Sequence, residues 1–280
     1  MKNKGKKLLL LVTLACCAAF GVYSCLGRSG RDREAPVISM AQSELRLSVT
    51  DEPVRLLSGV TAADAHDGDV TASLVVESVR GMVSDRRFTV TYAAFDAAGN
   101  VAKAQRTVCY EDYVSPHFSL SAPLVFRAGV MPDVFSVVGA ADVFDGDLSD
   151  RVKGTLVSGE RQLSEAGEYA VSFRVTNSLG DTAYLTAPVL VTEGSPGTAG
   201  LTLRSYLVYL QVGEPFSPET YLLALQAGGR TVSLQPLPEG ASVQTAGEVN
   251  TAVPGVYCVD YTVTCGADAG RTRLLVVVEE

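Results

Sequence analysis

The feature that most constrains the fold of this chain is a threefold internal repeat. In each copy a strand-like run is followed by a short polar turn containing Gly and then by a second strand-like run. The three stretches are RRFTVTYAAFDAAGNVAKAQRTVCYED (86–112), GEYAVSFRVTNSLGDTAYLTAPVLVTE (167–193) and GVYCVDYTVTCGADAGRTRLLVVVEE (255–280). A repeat of about 80 residues indicates tandem modules rather than one large domain.

Apolar residues alternate along the first strand-like run of every copy. They are Phe88, Val90, Tyr92 and Ala94 in the first copy, Tyr169, Val171, Phe173 and Val175 in the second, and Tyr257, Val259, Tyr261 and Val263 in the third. A period of two places each set on one face of a strand, and we predict that this face is the core.

The lengths of the segments favour small β-sandwiches. Further strand-like sequence precedes each hairpin, and nothing resembles a long amphipathic helix, which excludes most α/β enzyme scaffolds. We predict an all-β protein of three tandem immunoglobulin-like β-sandwich domains after an N-terminal hydrophobic anchor helix. The predicted segments are an anchor or signal peptide (1–27), a linker (28–35), domain 1 (36–112), domain 2 (113–193), a flexible Gly- and Ser-containing linker (194–200) and a degenerate domain 3 (201–280).

The N-terminus is typical of an export segment. A basic flank, MKNKGKK, precedes 19 uncharged residues from Leu8 to Leu26, which is long enough to span a bilayer. Three modes stay open: an uncleaved single-pass anchor, a lipoprotein attached through Cys25 after a lipobox-like VYSC, and a cleaved secreted protein. All three place the body of the chain outside the cytoplasm.

Charge and cysteine content exclude several functions. The net charge of −8 becomes −12 once the four N-terminal lysines are left out, and no basic run follows, so nucleic acid is not a partner. Outside the export segment the cysteines are Cys109, Cys258 and Cys265, and the last two lie seven apart in one strand. That spacing places them on opposite faces and too far apart for a disulfide, so we predict free thiols.

Two acidic loops are the main candidates for chemistry. DAHDGD (64–69) and DVFDGD (142–147) carry acids at positions 1, 4 and 6, whereas an EF-hand requires positions 1, 3, 5 and a Glu at 12. Position 12 is Val75 in the first copy and Lys153 in the second, so neither loop is an EF-hand. The loops remain either polar Asx turns or oxygen-ligand sites for Ca²⁺.

Strand order predicts which residues join these loops. In an up-and-down path the loop before one strand and the loop after the next share an end of the sandwich. We therefore predict one candidate Ca²⁺ site at Asp64, Asp67, Asp69 and Asp96, next to Asn100, and its equivalent at Asp142, Asp145 and Asp147, with Asn177 and Asp181.

A sharper hypothesis places an ion between the first two copies. If the termini lie at opposite ends of each module, Glu111 and Asp112 would join Asp142, Asp145 and Asp147 in a cation cluster that stiffens the junction. Copy three lacks the acidic loop and follows EGSPGTAG (193–200), so we expect it to hinge freely.

FTVTYAAFDAAGNVAKAQRTVCYEDYVSP together with DAHDGDVT resembles the bacterial Ig-like domains of surface proteins, including those appended to some pesticidal crystal proteins, and is similar to the hyalin repeat. The resemblance covers residues 36–280 and is weakest in copy three. It implies extracellular modules used as stalks, spacers or binding units, with no defined catalytic residues and no required cofactor.

Three functional classes follow. The first is a non-enzymatic cell-surface stalk, adhesion or protein-binding unit, held at the membrane by its N-terminus. The second is a glycan-binding array, for which Tyr110, Tyr113 and Phe144 are the candidate aromatics. The third, an enzyme, is disfavoured because only His66 and His117 exist and no catalytic set can be assembled within one domain. We expect the first.

Overall fold

The computed structural model describes Cys16–Ala18, Phe20 and the chain from Asp32 to Glu280, except residues 85, 158–162, 194–198, 228–229 and 267. Within these residues no helix is both long and apolar enough to cross a membrane. Most of the predicted export segment, with Cys25, lies outside the described residues and stays a prediction. The chain divides into two compact units, Met1–Glu111 and Asp112–Glu280.

The first unit is a two-layer β-sandwich. Its strands are β1 (Val37–Met40), β2 (Glu44–Leu47), β3 (Val60–Asp64), β4 (Gly68–Asp69), β5 (Val75–Ser84), β6 (Arg87–Phe95) and β7 (Val101–Tyr110), with 3-10 helices at Pro53–Leu57 and Thr71–Ser73. One sheet has the order β1-β3-β4 and the other β2-β7-β6-β5. β2 runs parallel to β7, and every other pair is antiparallel.

The alternation in β6 forms the core of this sandwich, as predicted. Phe88, Val90, Tyr92 and Ala94 are fully buried. The Tyr92 hydroxyl donates to the carbonyl of Leu56 at 2.7 Å, and Arg106 donates to the same carbonyl while lying over the Tyr92 ring. A buried hydroxyl with a partner fixes the ring without an unsatisfied polar atom.

The second unit begins with the same architecture. Its first strands are β8 (His117–Leu120), β9 (Val125–Arg127), β10 (Val138–Asp142), β11 (Gly146–Asp147), β12 (Lys153–Leu156), β13 (Gly167–Thr176) and β14 (Thr182–Thr192), with 3-10 helices at Val134–Ser136 and Ser149–Arg151. The sheets are β11-β10-β8 and β12-β13-β14-β9, with β9 parallel to β14. Copy two thus repeats the strand order of copy one, which is the topological form of the sequence repeat.

Copy three keeps the hairpin and changes the sheet. Its strands are β15 (Ala199–Leu203), β16 (Leu207–Gln211), β17 (Leu222–Ala227), β18 (Arg230–Ser233), β19 (Ala241–Ala246), β20 (Gly255–Cys265) and β21 (Asp268–Glu279), with a 3-10 helix at Pro218–Tyr221. They form one hydrogen-bonded sheet, β18-β17-β15-β21-β20-β19, with β16 also parallel to β21. β21 pairs with both β15 and β16, and this joins layers that are separate in copies one and two.

Copies two and three pack against each other, so the free hinge that we expected between them is not observed. Leu207 and Leu275 lie in the same buried cluster as Phe118 and Tyr169, and Tyr209 packs against that cluster. Arg273 donates to Asp260 through two nitrogens and to Glu168 of copy two at 2.8 Å. The apolar side chains on the outer face of β16 and β21 hold the two copies together. The linker residues 194–198 are outside the described part, and their flexibility stays a prediction.

The three cysteines of the body are free thiols within the described residues, as predicted. Cys258 packs against the cluster shared with copy two and Cys265 against the core of copy three, so they lie on opposite faces of β20. Burial raises the pKa of the Cys258 thiol to about 11, which is typical of a packing residue.

Candidate metal centre

The DAHDGD loop is a tight turn stabilised by its own carboxylates. β3 ends at Asp64, whose Oδ1 accepts hydrogen bonds from the backbone N–H groups of His66 at 2.7 Å and Asp67 at 3.0 Å. Gly68, the first residue of β4, takes a positive φ of 73°. These contacts are the Asx turn that the polar-turn interpretation predicts.

A second loop meets this one, as the strand order predicts. β6 ends at Phe95 and β7 begins at Val101, so the DAAGN loop lies between them. The Ala97 N–H donates to Asp67 Oδ2 at 2.8 Å. Asp96 accepts from the Asn100 backbone N–H at 2.7 Å and from its side-chain amide at 2.6 Å, and that amide also donates to the Glu34 carbonyl.

Hydrogen bonds to the Asp96 carboxylate lower its pKa. Desolvation raises its pKa, but donors on Asn100, Gly99 and Ala98 together lower it below the usual value, so the side chain is an anion at neutral pH.

Four carboxylates converge where the two loops meet. One oxygen each of Asp32, Asp64, Asp67 and Asp96 can be chosen so that all lie within 4.8 Å of one another. Asp64 is only 8% exposed. Its Oδ2 and the Oδ2 of Asp32 are buried and accept no hydrogen bond from any described residue.

Asp69, the remaining predicted acid of copy one, is not in this group. Its Oδ1 accepts from the Thr71 N–H at 2.9 Å, and hydrogen bonds from Thr71 lower its pKa. The member that we did not predict is Asp32, which precedes β1. The available signal was the spacing to proline, since Asp32 lies four residues before Pro36 and Asp112 four residues before Pro116.

The equivalent loop in copy two satisfies its carboxylates with protein donors. Asp142 Oδ1 accepts from the N–H groups of Phe144 and Asp145, and its Oδ2 accepts from the Asn177 amide at 2.6 Å. Asp145 Oδ2 accepts from the Ser178 N–H at 2.7 Å and from Arg151 at 2.8 Å. The Ser178 hydrogen bonds and the Arg151 charge outweigh desolvation and lower the Asp145 pKa.

Asp147 behaves as Asp69 does, because its Oδ1 accepts from the N–H and hydroxyl of Ser149, and these bonds lower its pKa.

A buried tyrosine completes the copy-two site. The Tyr113 hydroxyl donates to Asp181 Oδ2 at 2.6 Å and accepts from the Asn177 amide at 2.9 Å. Tyr113, Asn177 and Asp181 are 3%, 5% and 6% exposed. Desolvation and the Asp181 contact raise the pKa of Tyr113 well above its usual range, so it remains a neutral donor. Sequence reasoning placed Asn177 and Asp181 here but considered Tyr113 only as an exposed aromatic.

The remaining residues considered in the sequence analysis are not part of the four-carboxylate group. Glu111 accepts from Arg46 at 3.4 Å within the first unit, and Asp112 begins the second unit, so the predicted cluster across copies one and two stays a prediction. His66 is exposed, and Cys109 is buried at the end of β7.

Comparison with known proteins finds only distantly similar solved structures. No family model and no curated protein matches the chain. The extracellular domain of protocadherin GammaB4 matches at 13% identity and a TM-score of 0.21, covering 87% of this chain and 49% of that one.

A Clostridium perfringens ZmpB fragment described as CBM51-2 in complex with GlcNAc and INT domains matches at 15% identity and a TM-score of 0.23, covering 87% of this chain and 42% of that one. The chain therefore spans less than half the length of each of these proteins. At these scores the likenesses carry no argument about function, and the resemblance to bacterial Ig-like domains stays a prediction.

Proposed function

We propose that this chain is a non-enzymatic cell-surface protein whose modules act as a stalk, adhesion or protein-binding unit. The observation that carries the proposal is the repeat itself. Seven strands in the same two-sheet order, closed at one end by the same pair of loops, occur in copy one and again in copy two. Tandem copies of one small sandwich extend reach and multiply binding surface.

The proposed location is the outer face of the cell membrane. The basic flank and the uncharged run from Leu8 to Leu26 support export, with a single-pass anchor or a lipid on Cys25 as the two forms of attachment. The net charge of the body disfavours anionic polymers as partners. An extracellular protein is the partner that we propose.

A glycan partner is the second candidate, and the structure removes the aromatics first considered for it. Tyr110 and Tyr113 are buried, and Phe144 packs on Tyr113 with ring centroids 5.7 Å apart. The exposed aromatic side chains include Tyr184 on β14, which is 69% exposed, and Phe135. A sugar platform would have to use such residues.

Surface location is tested by treating intact cells with an external protease and detecting the body of the chain with antibody. We expect cleavage without lysis, and protection until lysis would contradict the proposal.

The partner is tested with the chain from residue 30 onward, which keeps all described strands, screened against envelope proteins and cell-wall polysaccharides. We expect protein binding that Tyr184→Ala leaves unchanged. Binding to polysaccharide alone, lost in Tyr184→Ala, would favour the glycan function instead.

A further inference from the structure

We propose that Asp32, Asp64, Asp67 and Asp96 bind one divalent cation of calcium size in copy one, and that copy two replaces this ion with the Asn177 amide and the Arg151 guanidinium. The proposal is independent of the partner proposed above, because it concerns how the end of one module is held together. It differs from the hypothesis drawn from the sequence, which placed an ion at Asp142, Asp145 and Asp147 together with Glu111 and Asp112.

The oxygens of the four carboxylates lie close enough together for one cation to contact all of them. Ca²⁺ accepts about 6–8 oxygen ligands, carboxylates among them, whereas Mg²⁺ keeps several waters and binds through one or two carboxylates, so four convergent carboxylates favour Ca²⁺. The four oxygens lie within 4.8 Å of one another. Carboxylates without thiolate or imidazole also favour a hard cation over zinc.

The partners of these carboxylates also point to a missing ligand. Asp64 uses Oδ1 for the turn, while its Oδ2 is buried and accepts nothing from the described residues, and Asp32 repeats this with Oδ1 bonded to the Glu34 N–H. A turn alone requires one oxygen of each side chain. A buried carboxylate oxygen without a donor is costly, and a cation at the meeting point of the four side chains would satisfy it.

Copy two serves as an internal comparison. Where copy one has Asp96, copy two has Asn177, whose amide donates to Asp142 Oδ2. The residue equivalent to Ser73 of copy one is Arg151, which donates to Asp145. Copy two therefore has an amide where the Asp96 carboxylate stands in copy one, and an added positive charge beside Asp145, while its own carboxylate at Asp181, in the place of Asn100, accepts from Tyr113. The two substitutions supply donors at the carboxylates that a cation would contact in copy one.

The ion has a structural consequence within copy one. Asp64 and Asp67 lie on one loop, Asp96 on the next, and Asp32 on the segment that precedes β1. A single cation would fasten this entering segment to both loops. The first module would then be cation-dependent, and the second would keep its loops together without an ion.

Isothermal titration of the full-length chain in non-ionic detergent tests the proposal, first with CaCl₂ and then with MgCl₂. We expect one Ca²⁺ per chain and weaker binding of Mg²⁺. Asp64→Asn and Asp96→Asn should each weaken Ca²⁺ binding by at least about tenfold, since affinity follows the charge count of the ligands. Asp69→Asn and Asp142→Asn, matched substitutions outside the proposed site, should leave it within about twofold.

Thermal melts followed by circular dichroism guard against a folding defect. Asn at position 64 keeps the oxygen that the turn requires and removes one negative charge. We therefore expect Asp64→Asn to raise the melting temperature without Ca²⁺ and to abolish its rise with Ca²⁺. Absence of Ca²⁺ binding, Mg²⁺ binding as tight as Ca²⁺ binding, or loss of binding in Asp142→Asn but not in Asp64→Asn would each overturn the proposal.

Discussion

Tyr113→Phe is the sharpest test of how copy two holds its loops without an ion. The substitution removes one hydroxyl, which donates to Asp181 and accepts from Asn177 in a region that water hardly reaches. The aromatic ring and its packing on Phe144 are kept. The loss is therefore confined to the hydrogen bonds.

The magnitude follows from the charge of the partner. A hydrogen bond to a charged group contributes about 1.5–3 kcal/mol, and a buried carboxylate left without its donor is at the costly end of the range for lost bonds. We expect the free energy of unfolding of the second unit to fall by about 2 kcal/mol. For a unit of 150–250 residues this lowers the melting temperature by about 4–8 °C.

Tyr261→Phe is the matched control in the same unit. Tyr261 is fully buried, and its hydroxyl donates to the neutral carbonyl of Pro218 at 2.9 Å. A neutral bond contributes about 1 kcal/mol, which corresponds to about 2–4 °C. Scanning calorimetry of both variants measures the difference. Equal decreases, or no decrease for Tyr113→Phe, would refute the argument that Asp181 depends on this donor.

Three further predictions concern the second unit. Asn177→Asp should lower its melting temperature, because the donor to Asp142 is replaced by a like charge, and Ca²⁺ should restore part of the loss; a melt unaffected by Ca²⁺ would contradict this. Leu275→Ala should lower the free energy of unfolding by about 2–5 kcal/mol and destabilise copies two and three together. Two separate melting transitions, only one of them shifted by the substitution, would show that the copies do not unfold as one cooperative unit. The Asp145 pKa is depressed in the folded state, so the contribution of this carboxylate to the free energy of unfolding is complete above the unfolded pKa near 3.8 and is lost as pH falls through the folded pKa. Asp145→Asn should therefore make the free energy of unfolding less dependent on pH below about pH 4. An unchanged pH dependence would exclude that contribution.

The core residues and the contact between the two loops could be predicted from the sequence, because they follow from local periodicity and from the order of the strands. Alternation in β6 and β13 determines which side chains are buried. The antiparallel order of the strands brings Asp67 next to the loop that follows β6, where it accepts from Ala97.

Two features were not predicted, because they depend on side-chain environment more than on local periodicity. Asp32 stands in a charged segment that resembled a linker, and its contact with Asp64 arises from how that segment enters the sandwich. The packing of Leu207 and Leu275 on copy two depends on which apolar residues of β16 and β21 face outward, and both strands are apolar on more than one face.

The buried role of Tyr113 was not predicted for the same reason. Its type is common at exposed binding surfaces and at buried polar sites alike. Only the positions of Asn177 and Asp181 distinguish the two, because they give its hydroxyl a buried acceptor and a buried donor.

Amide hydrogen exchange of the full-length chain, measured with excess Ca²⁺ and with chelator, tests the central claim most directly. A ligand at 100 times its Kd stabilises the state that binds it by about 2.7 kcal/mol, which slows exchange through opening of that region by roughly 100-fold. We predict slower exchange with Ca²⁺ in peptides containing His66, Asp67 and Ala97, and no change in peptides containing Phe144, Asp145 and Ser178. Protection of the second set, or of neither, would contradict the account.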